Sequence, residues 1–266
     1  MNAEQKRRYN RHLILDGIGP EGQEKLLGAK VLLVGAGGLG APVALYLAAA
    51  GVGQIGIADG DTVSLTNLQR QVIHRTQDVG IEKVVSAERA IHELNPDVKV
   101  DTYASYLTED NILELVERYD FVVDGTDNFA IKYLINDACV MAGKPFTMGG
   151  ISRFQGQLMT HLPGTACYRC IFPEPPAQKD VETCSMTGVL GSIAGICGTL
   201  QATEVIKYFT GAGTLLTNTL LLFDALSMQF NRFDFARNQK CAVCGEQPTI
   251  KTLHEYAFQP CSKRQK

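Results

Sequence analysis

A glycine fingerprint constrains the fold of this chain more than any other feature. Residues 35–40 (Gly-Ala-Gly-Gly-Leu-Gly) follow the apolar run Lys30–Val34, which is typical of a buried strand. The alanine-rich segment Ala41–Ala50 predicts a helix that ends at Gly51, and Gln54–Asp59 predicts a second strand that ends in an acid. Such a βαβ unit places the glycine loop where backbone N–H groups and a helix N-terminus can hold phosphate.

The same alternation of strands and helices continues to residue 142. Helices are predicted over Ile81–Leu94, over Thr108–Arg118 with Thr108 as the N-cap, and over Asp127–Ala142. Strands are predicted over Val98–Tyr103 and Phe121–Asp124. This alternation predicts an α/β fold with a doubly wound, mostly parallel, Rossmann-like sheet.

Beyond Pro145 the pattern changes to an antiparallel C-terminal extension. Glycine-broken strands are predicted within 146–162, a proline-rich loop over 172–184, a helix over 189–209 and two antiparallel strands within 220–235. The chain therefore divides into an N-terminal helical arm with one or two helices (1–28), a nucleotide-binding part (29–145), a second, metal-clamped part of the same domain (146–249) and a polar tail (250–266).

Composition excludes several classes of protein. The net charge of −3 over 266 residues provides no basic field for nucleic acid. No apolar signal region follows the basic N-terminal residues, and the longest uncharged apolar stretch, 188–202, is too short and glycine-rich to span a bilayer. We therefore expect a cytoplasmic protein that binds neither nucleic acid nor membrane, with its thiols reduced.

Two Cys-x-x-Cys pairs predict a metal site. Cys167 and Cys170 form the first pair, and Cys241 and Cys244 form the second. The chain's eight cysteines would also satisfy four disulfides, but the paired spacing in a cytosolic protein favours zinc. Four thiolates saturate tetrahedral Zn²⁺, so the predicted role is structural.

A cluster of charged residues beyond the glycine loop bears on the choice of nucleotide. Asp59 lies 19 residues after Gly40, which is the spacing of an acid that binds a ribose. The alternative is that the glycine loop is a tight turn that binds nothing. The fingerprint alone suggests NAD. Asn67 and Arg70, however, are expected close to the nucleotide, and Lys83 lies just inside the next helix. Arginine and lysine near a phosphate cradle suit the larger charge of a triphosphate, although each of these residues alone is as consistent with a solvated surface position.

Asp127 follows the strand that ends at Asp124, at the sheet edge where doubly wound folds bind ligands. It is a candidate ligand for Mg²⁺ that bridges phosphates, or else a helix N-cap, and the two roles are compatible. The remaining candidate nucleotide-binding residues are the loop glycines and two polar neighbours: Gly35, Gly37, Gly38, Gly40, Asp61 and Asn128.

At this point the chain closely resembles the ThiF/MoeB/HesA adenylyltransferases, relatives of ubiquitin-activating enzymes, over nearly its whole length. The matching segments are 7–12 (Arg-Arg-Tyr-Asn-Arg-His), 22–23 (Gly-Gln), 34–40, 64–71 (Ser-Leu-Thr-Asn-Leu-Gln-Arg-Gln), 126–128 (Thr-Asp-Asn), 198–202 (Gly-Thr-Leu-Gln-Ala) and both Cys-x-x-Cys pairs. The segment 64–71 together with both cysteine pairs is highly specific.

The resemblance implies a reaction with ATP rather than NAD. The C-terminal Gly-Gly carboxylate of a small ubiquitin-like sulfur carrier protein would attack the α-phosphate, giving an acyl-adenylate and pyrophosphate ahead of thiocarboxylate formation in thiamin or molybdopterin biosynthesis. Asp59 would hold the ribose, Asp127 would bind Mg²⁺, and phosphate contacts would come from Asn67, Arg70 and Lys83. Residues 146–249 would bind the carrier, and sulfur would come from a separate donor.

The resemblance also implies a homodimer and assigns roles to several further residues. Arg11 would reach the nucleotide of the other subunit, and His12 stands where many relatives carry glutamine. Cys184, in the proline-rich loop, corresponds to a cysteine that joins the carrier or relays sulfur in some relatives, or is an idle thiol. The three other cysteines receive no chemical role: Cys139 and Cys197 are expected in the core, and Cys261 lies in the tail.

Three alternative functions remain to be weighed against carrier adenylation. An NAD-dependent oxidoreductase would need a substrate segment with a catalytic acid or base, and the sequence offers no convincing candidate. A non-catalytic partner-binding relative would be expected to lack Arg11, Arg70, Lys83 or Asp127, and all four are present. A relative that activates tRNA typically lacks this cysteine arrangement, and the near-neutral charge does not favour nucleic acid.

Overall fold

The computed structural model describes residues 1–176 and 188–254. Its strands are β1 (Lys30–Val34), β2 (Gln54–Ala58), β3 (Lys99–Tyr103), β4 (Phe121–Asp124), β5 (Phe146–Ser152), β6 (Gln155–His161), β7 (Thr219–Asp224) and β8 (Gln229–Asp234). Its helices are α1 (Ala3–Arg8), α2 (Asn10–Leu13), α3 (Gly19–Gly28), α4 (Gly40–Ala50), α5 (Lys83–Leu94), α6 (Ile112–Glu117), α7 (Phe129–Met141), α8 (Tyr168–Ile171) and α9 (Gly191–Thr210).

The described strands form one eight-stranded sheet in the order β3-β2-β1-β4-β5-β6-β7-β8. Neighbours from β3 through β5 pair in parallel, and neighbours from β5 through β8 pair antiparallel. The predicted fold class, a mostly parallel doubly wound sheet with an antiparallel C-terminal extension, is therefore confirmed. The chain runs outwards from β1 to β2 and β3, and then crosses back to β4 on the other side of β1, so the topological switch point lies between β1 and β4.

Helices cover both faces of the parallel part of the sheet, and β1 shows how one strand serves two cores. Val31 and Leu33 pack into the cluster that contains α3, α4, α5 and α9, whereas Leu32 and Val34 pack into the cluster that contains α6 and α7. All four side chains are buried. A strand whose side chains alternate between two covered faces reads as a continuous apolar run, as residues 31–34 do.

Helix α4 ends where the sequence predicted, and the reason is local. Gly51 adopts the left-handed conformation with φ of +81° and caps the helix through its N–H to the carbonyls of Leu47 and Ala48. A Cβ at this position would lie 2.5 Å from the ring of Tyr9. Glycine is therefore required both for the turn and for the contact with the N-terminal helices.

Several predicted boundaries need correction. The prediction of Thr108 as an N-cap is wrong, because α6 begins only at Ile112 and the Thr108 carbonyl accepts the N–H groups of Asn111 and Ile112 in a preceding turn. Helix α5 begins at Lys83, two residues later than predicted. The first 28 residues hold three helices rather than one or two.

The described helices include none with both the length and the hydrophobicity that a bilayer crossing requires.

Candidate functional site

The candidate site lies at the carboxyl ends of β1, β2 and β4. In the sheet register Val34 pairs with both Ala58 and Asp124, so the turns that follow these strands begin side by side. A cavity of about 330 Å³ opens there, within the range of small-ligand sites. It is lined by the glycine loop, by the segments 58–61 and 105–107, by Asn67, Arg70, Gln71 and Lys83, and by residues 125–128, with Ile131, Ile151 and Val189.

The loop glycines divide between packing and access to the cavity. Gly35 has φ of +90°, and a Cβ on Gly40 would lie 1.9 Å from the Gly35 carbonyl oxygen, so these two glycines allow the tight turn and the close approach of α4. A Cβ on Gly38 would lie 3.3 Å from the Cβ of Ala194 on α9. At Gly37 a Cβ would meet no atom closer than 3.6 Å and would instead occupy the cavity. The absence of side chains here exposes backbone to a ligand.

Asp59 and Asp61 surround the ammonium group of Lys83. The Lys83 Nζ lies 2.7 Å from Asp61 Oδ2 and 3.7 Å from Asp59 Oδ2, and the lysine side chain is buried. Asp59 is held by the N–H groups of Ala36 and Asp61, each at 2.8 Å. The three predicted residues therefore form one charged cluster on the wall of the cavity.

Tyr106 completes that cluster, and the sequence analysis missed it. Its hydroxyl donates to Asp61, and its ring lies over Gly60, where a Cβ would come within 2.9 Å of it. Burial raises the pKa of Asp61, but hydrogen bonds from Lys83 and Tyr106 and the Lys83 charge outweigh this effect, so the pKa lies below its ordinary value. Asp61 is therefore ionised at neutral pH and forms a true ion pair.

The segment between β2 and α5 brings Asn67, Arg70 and Gln71 to the cavity. Asn67 ends the 3₁₀ turn Leu65–Asn67, and its carbonyl accepts the N–H groups of Arg70 and Gln71. Gln71 was not singled out from the sequence. It is only 4% exposed, and its Oε1 is one of two buried side-chain polar atoms, within the described part of the chain, that have no hydrogen-bond partner. An orphaned acceptor in a cavity wall fits a ligand that carries donors.

The turn after β4 separates the two roles considered for Asp127. The N-cap of α7 is Asn128, whose side-chain oxygen accepts the N–H of Ala130 at 2.8 Å. Asp127 is exposed and lines the cavity. Its carboxylate is therefore not needed to cap the helix, which leaves the metal-binding role as the remaining hypothesis for it.

A buried ion pair lies beneath this turn. Lys132 Nζ lies 2.6 Å from Asp124 Oδ2, and the side chains of both residues are almost completely buried. The second carboxylate oxygen of Asp124 accepts the N–H and hydroxyl of Thr126. The Asp124 main-chain carbonyl accepts the Gln201 amide from α9. The loop that carries Asp127 is thus fixed from below by groups that the sequence analysis did not identify.

Arg11 and His12 lie away from this cavity. Arg11, on α2, is exposed and does not line the cavity of its own chain. His12 Nδ1 contacts the buried Gln23 Oε1 at 2.9 Å, and Gln23 in turn donates to the Ala50 carbonyl. His12 therefore attaches α2 to α3 and to the end of α4.

The four predicted zinc ligands lie together. The ligand atoms of Cys167, Cys170, Cys241 and Cys244 all fall within 4.8 Å of one another, and two Sγ–Sγ pairs are separated by 3.6 and 3.4 Å. Tetrahedral zinc with Zn–S bonds of ~2.3 Å requires sulfurs about 3.8 Å apart. The donor set and its spacing fit Zn²⁺, and no cysteine of the cluster lines the cavity at the ends of β1, β2 and β4.

Two of the remaining cysteines lie within the described residues, and two lie outside them. Cys139 and Cys197 are buried in the core, as expected. Burial raises the pKa of Cys139 and raises that of Cys197 to about 12, so both stay protonated thiols at neutral pH. Cys184 and Cys261 lie outside the described residues.

Comparison with known proteins places these features in context. A model of the ThiF family matches residues 9–243. The sulfur carrier protein adenylyltransferase of Thermus thermophilus is 46% identical over 255 residues, which cover 94% of this chain and 94% of that protein. The SAMP-activating enzyme E1 of Haloferax volcanii is 46% identical over 246 residues, with coverages of 92% and 91%. The crystal structure of E. coli MccB with MccA-N7isoASN matches with a TM-score of 0.81 at 26% identity, covering 92% of this chain and 76% of that chain.

Proposed function

This chain belongs to the ThiF family, and from that premise we propose that it adenylates the C-terminal Gly-Gly carboxylate of a small ubiquitin-like sulfur carrier protein. A carrier carboxylate oxygen forms a bond to the α-phosphorus of ATP while the bond from that phosphorus to the bridging oxygen breaks. Pyrophosphate leaves, and the carrier is left as an acyl-adenylate. The attacking carboxylate is already ionised at neutral pH, so this step requires no protein base.

The observation that carries the proposal is the composition of one cavity wall. Two cations, Arg70 and Lys83, border the same cavity as the open backbone at Gly37. A polyphosphate would be bound there by cationic side chains and backbone N–H groups together. Catalysis of such a transfer consists mainly of positioning and charge neutralisation, which this set of groups can provide.

Each polar group of the cavity has a place in this scheme. Asp59 binds the ribose, and Asn67, Arg70 and Lys83 bind the phosphates. Because Lys83 is paired with Asp61 at 2.7 Å, an incoming phosphate has to compete with that carboxylate for the ammonium group. Asp127 would hold Mg²⁺, which neutralises phosphate charge when it is bound.

The first test is ATP–pyrophosphate exchange by the purified protein with Mg²⁺ and with thiamin-type or molybdopterin-type Gly-Gly carriers, offered one at a time. Exchange that depends on a carrier is expected, and the carrier that supports it identifies the pathway. Exchange is also expected from Cys184→Ser, because adenylation needs no protein nucleophile. ATP binding without exchange for any carrier, from folded protein, would contradict the proposal.

We further propose that the active enzyme is a homodimer in which Arg11 acts at the partner's site. The support is that Arg11 is exposed and does not line its own cavity. Arg11→Ala and Asp127→Asn should each lower the exchange rate by roughly 10²–10³-fold when tested alone. When the two variants are refolded together in equal amounts, they should complement each other. Half of the dimers would then be mixed, each with one intact site, which gives about one quarter of wild-type activity. No recovery in proven mixed dimers would contradict action in trans.

A further inference from the structure

The backbone N–H and carbonyl of Ala36, inside the glycine loop, are each held by a side chain from elsewhere in the chain. The Ala36 N–H donates to Asp59 Oδ2 at 2.8 Å. Its carbonyl oxygen lies 3.0 Å from Nε2 of His74, a buried residue in the segment before α5. Because a carbonyl oxygen can only accept, the His74 ring must carry a proton on Nε2.

Holding this carbonyl also fixes the next N–H group. The peptide bond between Ala36 and Gly37 is trans, so the carbonyl and the Gly37 N–H lie in one plane and point in opposite directions. His74 is 4% exposed and is not part of the cavity lining, whereas Gly37 is. With the carbonyl directed to His74 on the buried side, the Gly37 N–H is directed away from it, towards the cavity.

We infer that His74 is a positioning residue that orients the Gly37 N–H in the phosphate loop and so strengthens the binding of a polyphosphate without touching it. This inference rests on the proposed function, because it concerns how the same cavity binds ATP. Oriented backbone N–H groups are a major source of affinity for phosphate, and a peptide plane free to rotate would offer a ligand the wrong dipole for part of the time.

The orientation of the imidazole ring is itself fixed by a buried chain of hydrogen bonds. His74 Nδ1 lies 2.9 Å from Ser86 Oγ on α5, and Ser86 Oγ lies 2.7 Å from Asp78 Oδ2. Asp78 also accepts the Arg75 N–H at 2.8 Å. All three side chains of this chain of contacts are buried. The phosphate loop is therefore connected to the start of α5, the helix that carries Lys83.

Burial keeps this ring in the state that the inference requires. Burial is the largest effect on the pKa of His74 and lowers it. The hydrogen bond to Ala36 and the carboxylates of Asp59 and Asp78 act in the opposite direction and the charge of Lys83 acts with burial, and the pKa lies below its ordinary value. The ring is therefore neutral at pH 7 and has one N–H, which the Ala36 carbonyl assigns to Nε2. In this tautomer the single hydroxyl proton of Ser86 lies between two acceptors, His74 Nδ1 and the Asp78 carboxylate, and is shared between them.

A purely structural role for His74 would affect every ligand equally, and this difference defines the test. We compare the affinities of the wild type and His74→Phe for ATP with Mg²⁺ and for adenosine by calorimetry. His74→Phe keeps the ring but removes both nitrogens, and should bind ATP about tenfold more weakly while adenosine changes less than about twofold. His74→Gln, whose amide can still donate to the Ala36 carbonyl, should recover to within about threefold.

Two further variants make the experiment decisive. His92→Phe, on the exposed face of α5, is the matched control and should bind both ligands as the wild type does. Ser86→Ala removes the partner that orients the ring, and should weaken ATP binding by about threefold without affecting adenosine. It also carries the test if His74→Phe fails to fold.

The outcomes separate this inference from the proposed function. Equal losses for ATP and adenosine, or unchanged ATP affinity in folded His74→Phe and in Ser86→Ala, would overturn the role of His74 alone. Wild-type protein that binds neither ligand would overturn the proposed function, and this inference with it.

Discussion

The candidate-site cavity and the cysteine cluster are built on opposite principles, although both bring together residues from distant parts of the chain. The cavity leaves groups available to a ligand, such as the open backbone at Gly37 and the exposed Asp127 carboxylate. The cysteine cluster consists of four thiols that face one another, three of them buried. The first region leaves polar groups open to a ligand, whereas the thiols of the second face one another in a set that fits a zinc ion.

This difference predicts which substitutions should mainly reduce stability and which should mainly reduce activity. The groups around the cavity form a few hydrogen bonds and ion pairs at the edge of a core that is already complete, so changing most of them should affect binding more than folding. The cysteines join residues 167–170 to residues 241–244, across 70 intervening residues, so removing one should release a long segment of the fold.

The largest expected effect is on the cysteine cluster. Cys244→Ser should reduce the zinc content from one ion per chain to none and lower the free energy of unfolding by several kcal/mol, out of the roughly 10 kcal/mol that structural zinc can contribute. Metal analysis and urea denaturation measure the two quantities. Exchange activity per folded molecule should persist at low temperature, because the cluster does not line the cavity.

The matched control is Cys139→Ala, which removes a buried thiol outside the cluster and should keep the zinc. A Cys244→Ser protein that is well folded, free of zinc and inactive would show that the metal does more than hold the fold together.

The second prediction concerns the buried ion pair of Lys132 and Asp124, where a substitution beside the cavity should reduce stability as well as activity. Lys132→Met removes the partner of the buried Asp124 carboxylate and should destabilise the fold by about 3–5 kcal/mol. It should also lower exchange activity, because Asp124 holds the N–H and hydroxyl of Thr126 in the loop that precedes Asp127. Urea denaturation and exchange assays on the same samples test both effects.

The control for this prediction is Lys25→Met, which removes an exposed ion pair with Glu21. Surface pairs of this kind contribute about 0–1 kcal/mol, so little change is expected. If Lys132→Met were as stable as Lys25→Met, the buried pair would not be what supports the loop.

How much of this molecule the sequence predicts depends on how far apart the interacting residues lie. Strand β1, the glycine turn and the end of α4 were predicted to the residue because they rest on short patterns within 30–51. Thr108 was misassigned because a turn and a helix start share the same local preferences, and only the packing of Ile112 decides between them.

The site shows the same limit. The charged residues beside the glycine loop were identified because their spacing from it is characteristic, and the cysteines because their pairs are. His74, Gln71 and Lys132 have no such signal: the Ala36 carbonyl lies 38 positions before His74, and Lys132 resembles any surface lysine on a helix until its pairing with Asp124 is known. Long-range hydrogen bonds of single residues leave no periodic pattern in a sequence.

The smallest expected effect tests whether the contacts that line the cavity act independently of one another. Tyr106→Phe removes the hydroxyl that donates to Asp61, which is one of the groups that lower the pKa of that carboxyl. The pKa of Asp61 should therefore rise towards its ordinary value, which carboxyl ¹³C NMR can follow. Because Lys83 remains in place, exchange activity should stay within about threefold of the wild type.

The pH dependence of stability follows from the same shift. The pKa of Asp61 is lower in the folded state than in the unfolded state, so its interactions stabilise the fold above the unfolded pKa, about 3.9, and this contribution is lost as the pH falls through the folded pKa. Tyr106→Phe should therefore be slightly less stable than the wild type near neutral pH, and the two should converge in acid. Tyr46→Phe, an exposed tyrosine on α4, serves as the control. A stability difference that grew as the pH fell would mean that Tyr106 acts through some group other than the ionised Asp61.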